Sequence, residues 1–269
     1  VWATVFTAAI PIAQAFAVYC RDNHRPLHIV LEGYGLNNSV NFKALNSSKV
    51  SVMIGQNDYF YSKGAFAQPH KAIGVAMGVI SVAPVNDNIG WVGKFNLMLG
   101  TFSIARLNGV LIDEIPESTF DDLDELGGLY FRNYTDYPGI YMNDSFTCTI
   151  ETDDYSKIEK NRTWNKASRI IRLAMLPYVN STVFVESNTG KLDSISVSVM
   201  EAAGNRALRV MFQNGEISGP DPMGATPPFQ IDANQDVIAS NELVTQLSIV
   251  PTGVAGVITN KIGFKNPNN

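Results

Sequence analysis

Apolar and polar positions along this chain fall into blocks that switch between a helical period and a strand period. Val1–Tyr19 is apolar nearly all round and reads as a largely buried helix running to about residue 22, with upstream sequence expected before it. His28–Glu32 and Lys49–Ile54 are short apolar strands, and Asn41–Ser48 between them suits a short helix. Pro69–Ala83 is apolar, contains glycines and stops at Pro84, the pattern of a second buried helix. The order helix–strand–helix–strand–helix predicts an α/β (mixed α+β) fold with a parallel sheet.

The following stretch is less regular. Ser103–Ile112 alternates like a strand, and Ser118 is placed to cap an acidic helix that runs to Leu126 and ends at Gly127–Gly128. Leu129–Asn133 and Phe146–Ile150 read as further strands. A long amphipathic helix is then predicted from Asp154 to Met175, with Asp153 as its cap. Ile158, Ala167, Ile170, Ile171 and Ala174 form its inner stripe, with Trp164 at the margin. Arg162, Lys166 and Arg169 follow at i, i+4 and i+7, and Arg172 extends them into one cationic edge. Thr182–Glu186 alternates as a strand. In Asp193–Gln213 the β-branched Ile195, Val197 and Val199 favour strand, whereas the later residues favour helix. The segment reads as two helical pieces hinged at Gly204–Asn205, with Gly215 beyond the end. Phe229–Asp232, Leu243–Val250 and Val257–Phe264 are β-type, the last two joined across Pro251–Thr252–Gly253. The pattern divides the chain into residues 1–100, a connecting region 101–150, and residues 151–269.

Composition changes the picture at two points. Charged residues are only 17% of the chain, against about a quarter in soluble domains. A free monomer needs more charge than this, so subunit contacts are expected to cover much of the surface. The net charge of −5 argues against a general nucleic-acid binder. Two cysteines, Cys20 and Cys148, are too few for a disulfide framework and suit buried thiols in a reducing cytoplasm. Sequons at Asn37, Asn46, Asn133, Asn143, Asn161 and Asn180 are what chance supplies in a chain rich in Asn, Ser and Thr, and they would matter only for a secreted β-rich adhesin. The apolar N-terminal stretch contains Pro11 and lacks a basic flank, so neither a signal peptide nor a membrane span is expected.

Reactive chemistry is sparse. Gly33–Tyr34–Gly35 follows the first strand as a dinucleotide-binding turn does, but Asn38 stands where the third glycine belongs. An enzyme that holds a nucleotide there is the alternative to a plain tight turn. Cys20, His24 and His28 are spaced like metal ligands, yet Pro26 keeps the two histidines off one helix face and no fourth ligand is evident. No cofactor, metal or catalytic residue is assigned. Gly74 and Gly78 would allow close packing inside the second helix. The acids Asp113, Glu114, Glu117, Asp121, Asp122, Asp124 and Glu125 form a dense patch without EF-hand spacing. That patch is either a solvated face or the partner of Arg162, Lys166, Arg169 and Arg172 across a subunit boundary.

An ordered set of segments carries a family resemblance. DDYSKIEKNRTWNKASRIIRLAMLPYVNS resembles the central helix of phage contractile-tail sheath proteins. GKLDSISV, LRVMFQNGEISG and IDANQDVIASNELVTQLSIVPTGVAGVITNKIGF follow in the same order, and HKAIGVAMGVISVAPVNDNIGWVGKFNL and LDELGGLYFRNYTDYPGIYMNDSFT fit upstream. The resemblance implies a layered helix–sheet sheath core with an extended C-terminal β segment, in a non-enzymatic subunit of a phage or phage-tail-like contractile machine. Such a subunit polymerises with itself around a tail tube protein, meets baseplate and tail terminator proteins, and contracts to drive the tube through a cell envelope. It would be assembled in the bacterial cytoplasm and reside in the virion tail, without nucleic acid, cofactor or membrane insertion. Terminal arms of such proteins add strands to neighbouring subunits. Val257, Ile258, Ile262 and Phe264 would play that part here, and the family's N-terminal arm is not seen before Val1.

Overall fold

A computed structural model describes residues 2–36, 40–65, 68–98 and 102–256. The chain opens with α1 (Trp2–Asp22), which runs through Pro11. Then follow β1 (Ile29–Glu32), a 3₁₀ turn (Lys43–Leu45), β2 (Val50–Met53), β3 (Gly55–Asn57), α2 (Asp58–Ser62) and α3 (Ile73–Val82). The middle of the chain holds β4 (Ala105–Leu107), β5 (Val110–Leu111), α4 (Glu117–Leu126), β6 (Phe131–Tyr134) and β7 (Tyr137–Met142). The last part holds α5 (Ile158–Met175), α6 (Ser194–Gln213), β8 (Ile217–Gly219), β9 (Phe229–Ile231), α7 (Val237–Ser240), β10 (Thr245–Leu247) and β11 (Val250–Pro251). Helices and several small sheets make a mixed α/β fold.

β2 is the centre of the first half. All four of its residues are buried, Ser51 among them, as in a strand covered on both faces. β1 pairs with it in parallel, Ile29 opposite Val50 through Glu32 opposite Met53. Leu129 bridges to Met53 on the parallel sense, its amide bonding the Val52 carbonyl at 2.8 Å. The Cys148 amide bonds Val50 O, also at 2.8 Å. The expected strand Phe146–Ile150 reduces to such isolated bridges, because Ser51 Oγ takes the Phe146 carbonyl (2.6 Å) and interrupts a ladder. Ser103–Ile112 is a hairpin rather than one strand. Asn108 and Gly109 take φ values of +50° and +84°, the left-handed pair that a two-residue turn requires.

Two apolar cores result. The first gathers Ile10, Val52, Met53, Phe120, Leu129 and Phe131. The second gathers Ala167, Ile171, Met200, Leu208, Met211 and Phe229. Each fully buried Val, Leu, Ile, Met or Phe among them contributes about 1.5–3 kcal/mol. α5 reaches both: Ile158 belongs to the first core, Ala167 and Ile171 to the second.

Several expectations need correction. α1 is a helix but not a buried one: Ile10 and Ala17 are enclosed, while Val5, Ile12, Phe16 and Tyr19 are exposed. By length and composition, Thr4–Asp22 is apolar enough to cross a membrane. In this fold its inner stripe packs on the first core, and Gln14 Oε1 accepts the Lys49 amide at 2.8 Å. Only Ala76 of α3 is buried, and a Cβ on Gly74 or Gly78 would meet nothing within 4 Å, so these glycines allow no close packing here. α4 starts after Pro116, with no cap from Ser118. α5 starts after Lys157, because Asp153 spends its carboxylate on the Tyr155 amide (2.6 Å). Thr182–Glu186 forms no strand beyond a single bridge from Val185 to Leu192. No hinge breaks α6. It is one helix of 20 residues, capped by Asp193, whose carboxylate accepts the Ile195 and Ser196 amides. That cap outweighs the β-branched residues of its first turns.

Candidate interaction surface

The cations of α5 meet different fates. Arg162 donates to the carbonyls of Ala83 (2.8 Å) and Pro84 (3.1 Å), which ties α5 to the end of α3. Lys166 Nζ lies 2.6 and 2.5 Å from the two oxygens of Glu216, a residue only 9% exposed. Both side chains therefore hold the subunit together internally. Arg169 and Arg172 are exposed, and neither has a carboxylate within ion-pair distance among the described residues. Arg169 Nε donates to the carbonyl of Asn165, one turn back, at 3.3 Å. The two arginines border a cleft of about 630 Å³ floored by Trp164, Ile171, Met175 and Met200.

The acidic patch divides in the same way. Asp124 accepts from Tyr130 Oη (2.8 Å) and Asn143 Nδ2 (2.9 Å) and faces Arg132 at 3.6 Å. Glu117 pairs with Arg132, and Asp113 accepts from Asn133. Asp121, Asp122 and Glu125 stay exposed on the outer face of α4, opposite the buried Phe120 and Leu123. Within one chain the α4 acids and the α5 cations do not meet among the described residues.

The candidate sites for chemistry are otherwise engaged. The Gly33 amide donates to Met53 O (2.8 Å) and the Gly35 amide to Pro69 O (3.0 Å), leaving neither for a pyrophosphate. Gly33 must be small, because a Cβ would stand 2.8 Å from Met53 O, and Gly35 has φ +66°. His28 Nε2 lies 2.9 Å from Ser51 Oγ, whose proton goes to Phe146 O, so the imidazole donates there. Burial, with Lys49 and Arg162 near, pushes His28 down to about 3 and keeps it neutral. No group of three or more His, Cys, Asp and Glu among the described residues could hold a metal ion, so Cys20, His24 and His28 do not gather into a site. Burial raises the Cys148 thiol far above its usual range, which leaves it unreactive.

The described part of the C-terminal segment stays on its own subunit. β10 pairs antiparallel with β9 and β11 with β8. Residues 252–256 then line a cleft of about 720 Å³ with Asp87, Trp91 and Asp144. Val257, Ile258, Ile262 and Phe264 lie outside the described residues.

This architecture has known counterparts. A chain of the anti-feeding prophage helical sheath in its contracted state superposes over 96% of this chain with a TM-score of 0.62 at 18% identity. A chain of the anti-feeding prophage baseplate does so over 96% with a TM-score of 0.60 at 17% identity. The sheath tail protein of Desulfitobacterium hafniense matches over 91% with a TM-score of 0.54 at 12% identity. This chain spans 66%, 65% and 54% of the length of those three. No curated protein sequence matches it. The fold is thus that of the sheath proteins of contractile injection systems. The chain belongs to the DUF2586 family, whose N-terminal domain matches residues 3–146 and whose C-terminal domain matches residues 154–269.

Proposed function

We propose that this chain is a structural subunit of a contractile tail sheath, polymerising with copies of itself around a tail tube and shortening to drive that tube through a target envelope. The observation that carries this reading is the likeness to a contracted helical sheath over nearly the whole chain. Three features of the molecule agree with it. Charge is scarce. The outer face of α1 exposes Ile12 (71%) and Phe16 (56%), apolar surface of the kind subunit contacts cover. The amides of the glycine turn bond within the fold, and the Cys148 thiol is buried.

On this reading no substrate is turned over. The work comes from the free-energy difference between two lattice arrangements, which subunits exchange by rigid-body movement. The connecting region 101–150 supplies Phe120, Leu129 and Phe131 to the first core, and α5 joins that core to the second, so the subunit is expected to move as one body. Partners are the tube, the baseplate and the tail terminator, and the place of action is the tail of a particle assembled in the bacterial cytoplasm.

Electron microscopy of the full-length protein tests this. Tubes or stacked rings are expected. A protein that stays monomeric at high concentration overturns the proposal.

A further inference from the structure

We infer that Arg169 and Arg172 on one subunit receive the α4 face bearing Asp121, Asp122 and Glu125 of a second copy. The inference rests on the sheath reading and names one contact of that lattice.

Local geometry prepares both sides. Arg169 and Arg172 are three residues apart, so they project from one face of α5's last turns. Asp121 and Glu125 are four apart and Asp122 and Glu125 three apart, which puts all three on one face of α4. Among the described residues none of the five has an ion-pair partner, although their neighbours in sequence do: Lys166 has Glu216, and Asp124 and Glu117 share Arg132. In a chain with only 20 basic and 25 acidic residues, that leaves two compact patches of opposite sign unspent. The arginines also border the 630 Å³ cleft, so a helix face laid on them would sit against a concave surface.

The patches belong to different cores. α4 packs through Phe120 and Leu123 into the first, and this part of α5 packs through Ala167 and Ile171 into the second. A molecule carrying two complementary patches at separate places makes a head-to-tail contact that leaves one of each free on every pair. Such contacts propagate into rings or helices. A second copy of this chain is therefore the occupant that the charge pattern fits.

The test uses the full-length protein with two charge reversals, Arg169→Glu with Arg172→Glu, and Asp121→Lys with Asp122→Lys. All four positions are exposed, so thermal melts should match the wild type. Each double variant places like charges at its own contact, and its concentration for polymerisation should rise about tenfold or more. An equimolar mixture of the two restores opposite charges at every contact, as does the chain carrying all four changes. Both should return to the wild-type concentration, read by sedimentation and microscopy. Variants that polymerise like the wild type overturn the contact, as does a mixture no better than either variant alone. If the wild type itself forms no polymer, the sheath reading falls and this contact with it; wild-type tubes with indifferent variants sink the contact alone.

Discussion

Gly204 lies so close to Phe229 that a Cβ on it would stand 2.4 Å from the ring's Cδ1. The glycine is what lets β9 lie down on the middle of α6. In an isolated helix Gly204→Ala would gain about 1 kcal/mol from propensity. Here the new methyl group must displace a fully buried ring, a change that costs about 1–3 kcal/mol. Gly204→Ala should therefore lower the chemical-denaturation midpoint. A midpoint equal to or above the wild type would mean that β9 does not bear on the helix as described.

Asn205 completes the same contact. Its Nδ2 donates to the Phe229 carbonyl at 2.8 Å, and its Oδ1 accepts the Phe229 amide at 3.1 Å. Asn205→Ala leaves both buried backbone groups unmet, a loss of about 1–3 kcal/mol for each group. Asn205→Asp should be nearly as harmful, because a carboxylate cannot donate to the carbonyl. Equilibrium unfolding of the two variants checks this, and a harmless Asn205→Asp would refute the donor role.

These two residues also mark where the sequence stopped being readable. Gly204–Asn205 looks like a hinge because glycine and asparagine lower helix propensity, and propensity is a local quantity. The partner that makes them favourable, Phe229, is distant in sequence, and no local rule brings it there. The same holds for Arg162 and Lys166. Their spacing placed them correctly on one edge of α5, but their partners, the carbonyls of Ala83 and Pro84 and the carboxylate of Glu216, come from other elements. What could be read was local: the β1 and β2 strands, the αL stop of α4 at Gly127 (φ +82°), and the span of α5 to within a turn. The Asn108–Gly109 turn was a legible signal too, and it explains why one expected strand is a hairpin.

Lys166 and Arg169 are one turn apart and should behave oppositely on reversal. Lys166→Glu sets two carboxylates together at the buried Glu216 and should destabilise the subunit by about 3 kcal/mol. Arg169→Glu changes an exposed residue and should stay within about 0.5 kcal/mol in stability. Thermal unfolding of dilute, unassembled protein separates the two. Equal effects would contradict the division between internal and free cations.

Glu159 gives the fold a pH dependence. The residue is 4% exposed; Asn88 donates to Oε1 at 3.2 Å and Ser145 to Oε2. Burial raises its carboxyl above the usual value, the Ser145 bond offsets that in part, and Asp144 adds to the rise. A raised acid binds its proton more tightly in the folded than in the unfolded chain. Its contribution is therefore favourable at low pH and is lost as pH climbs from the ordinary carboxylate value to the folded one. Glu159→Gln removes the ionisation and keeps a group that Ser145 and Asn88 can bond. The difference in unfolding free energy, variant minus wild type, should become more positive as pH rises from 4 towards 8. Melting curves across that range read it directly, and a difference that stays flat or shrinks with pH would show that Glu159 ionises in the folded protein as easily as in water.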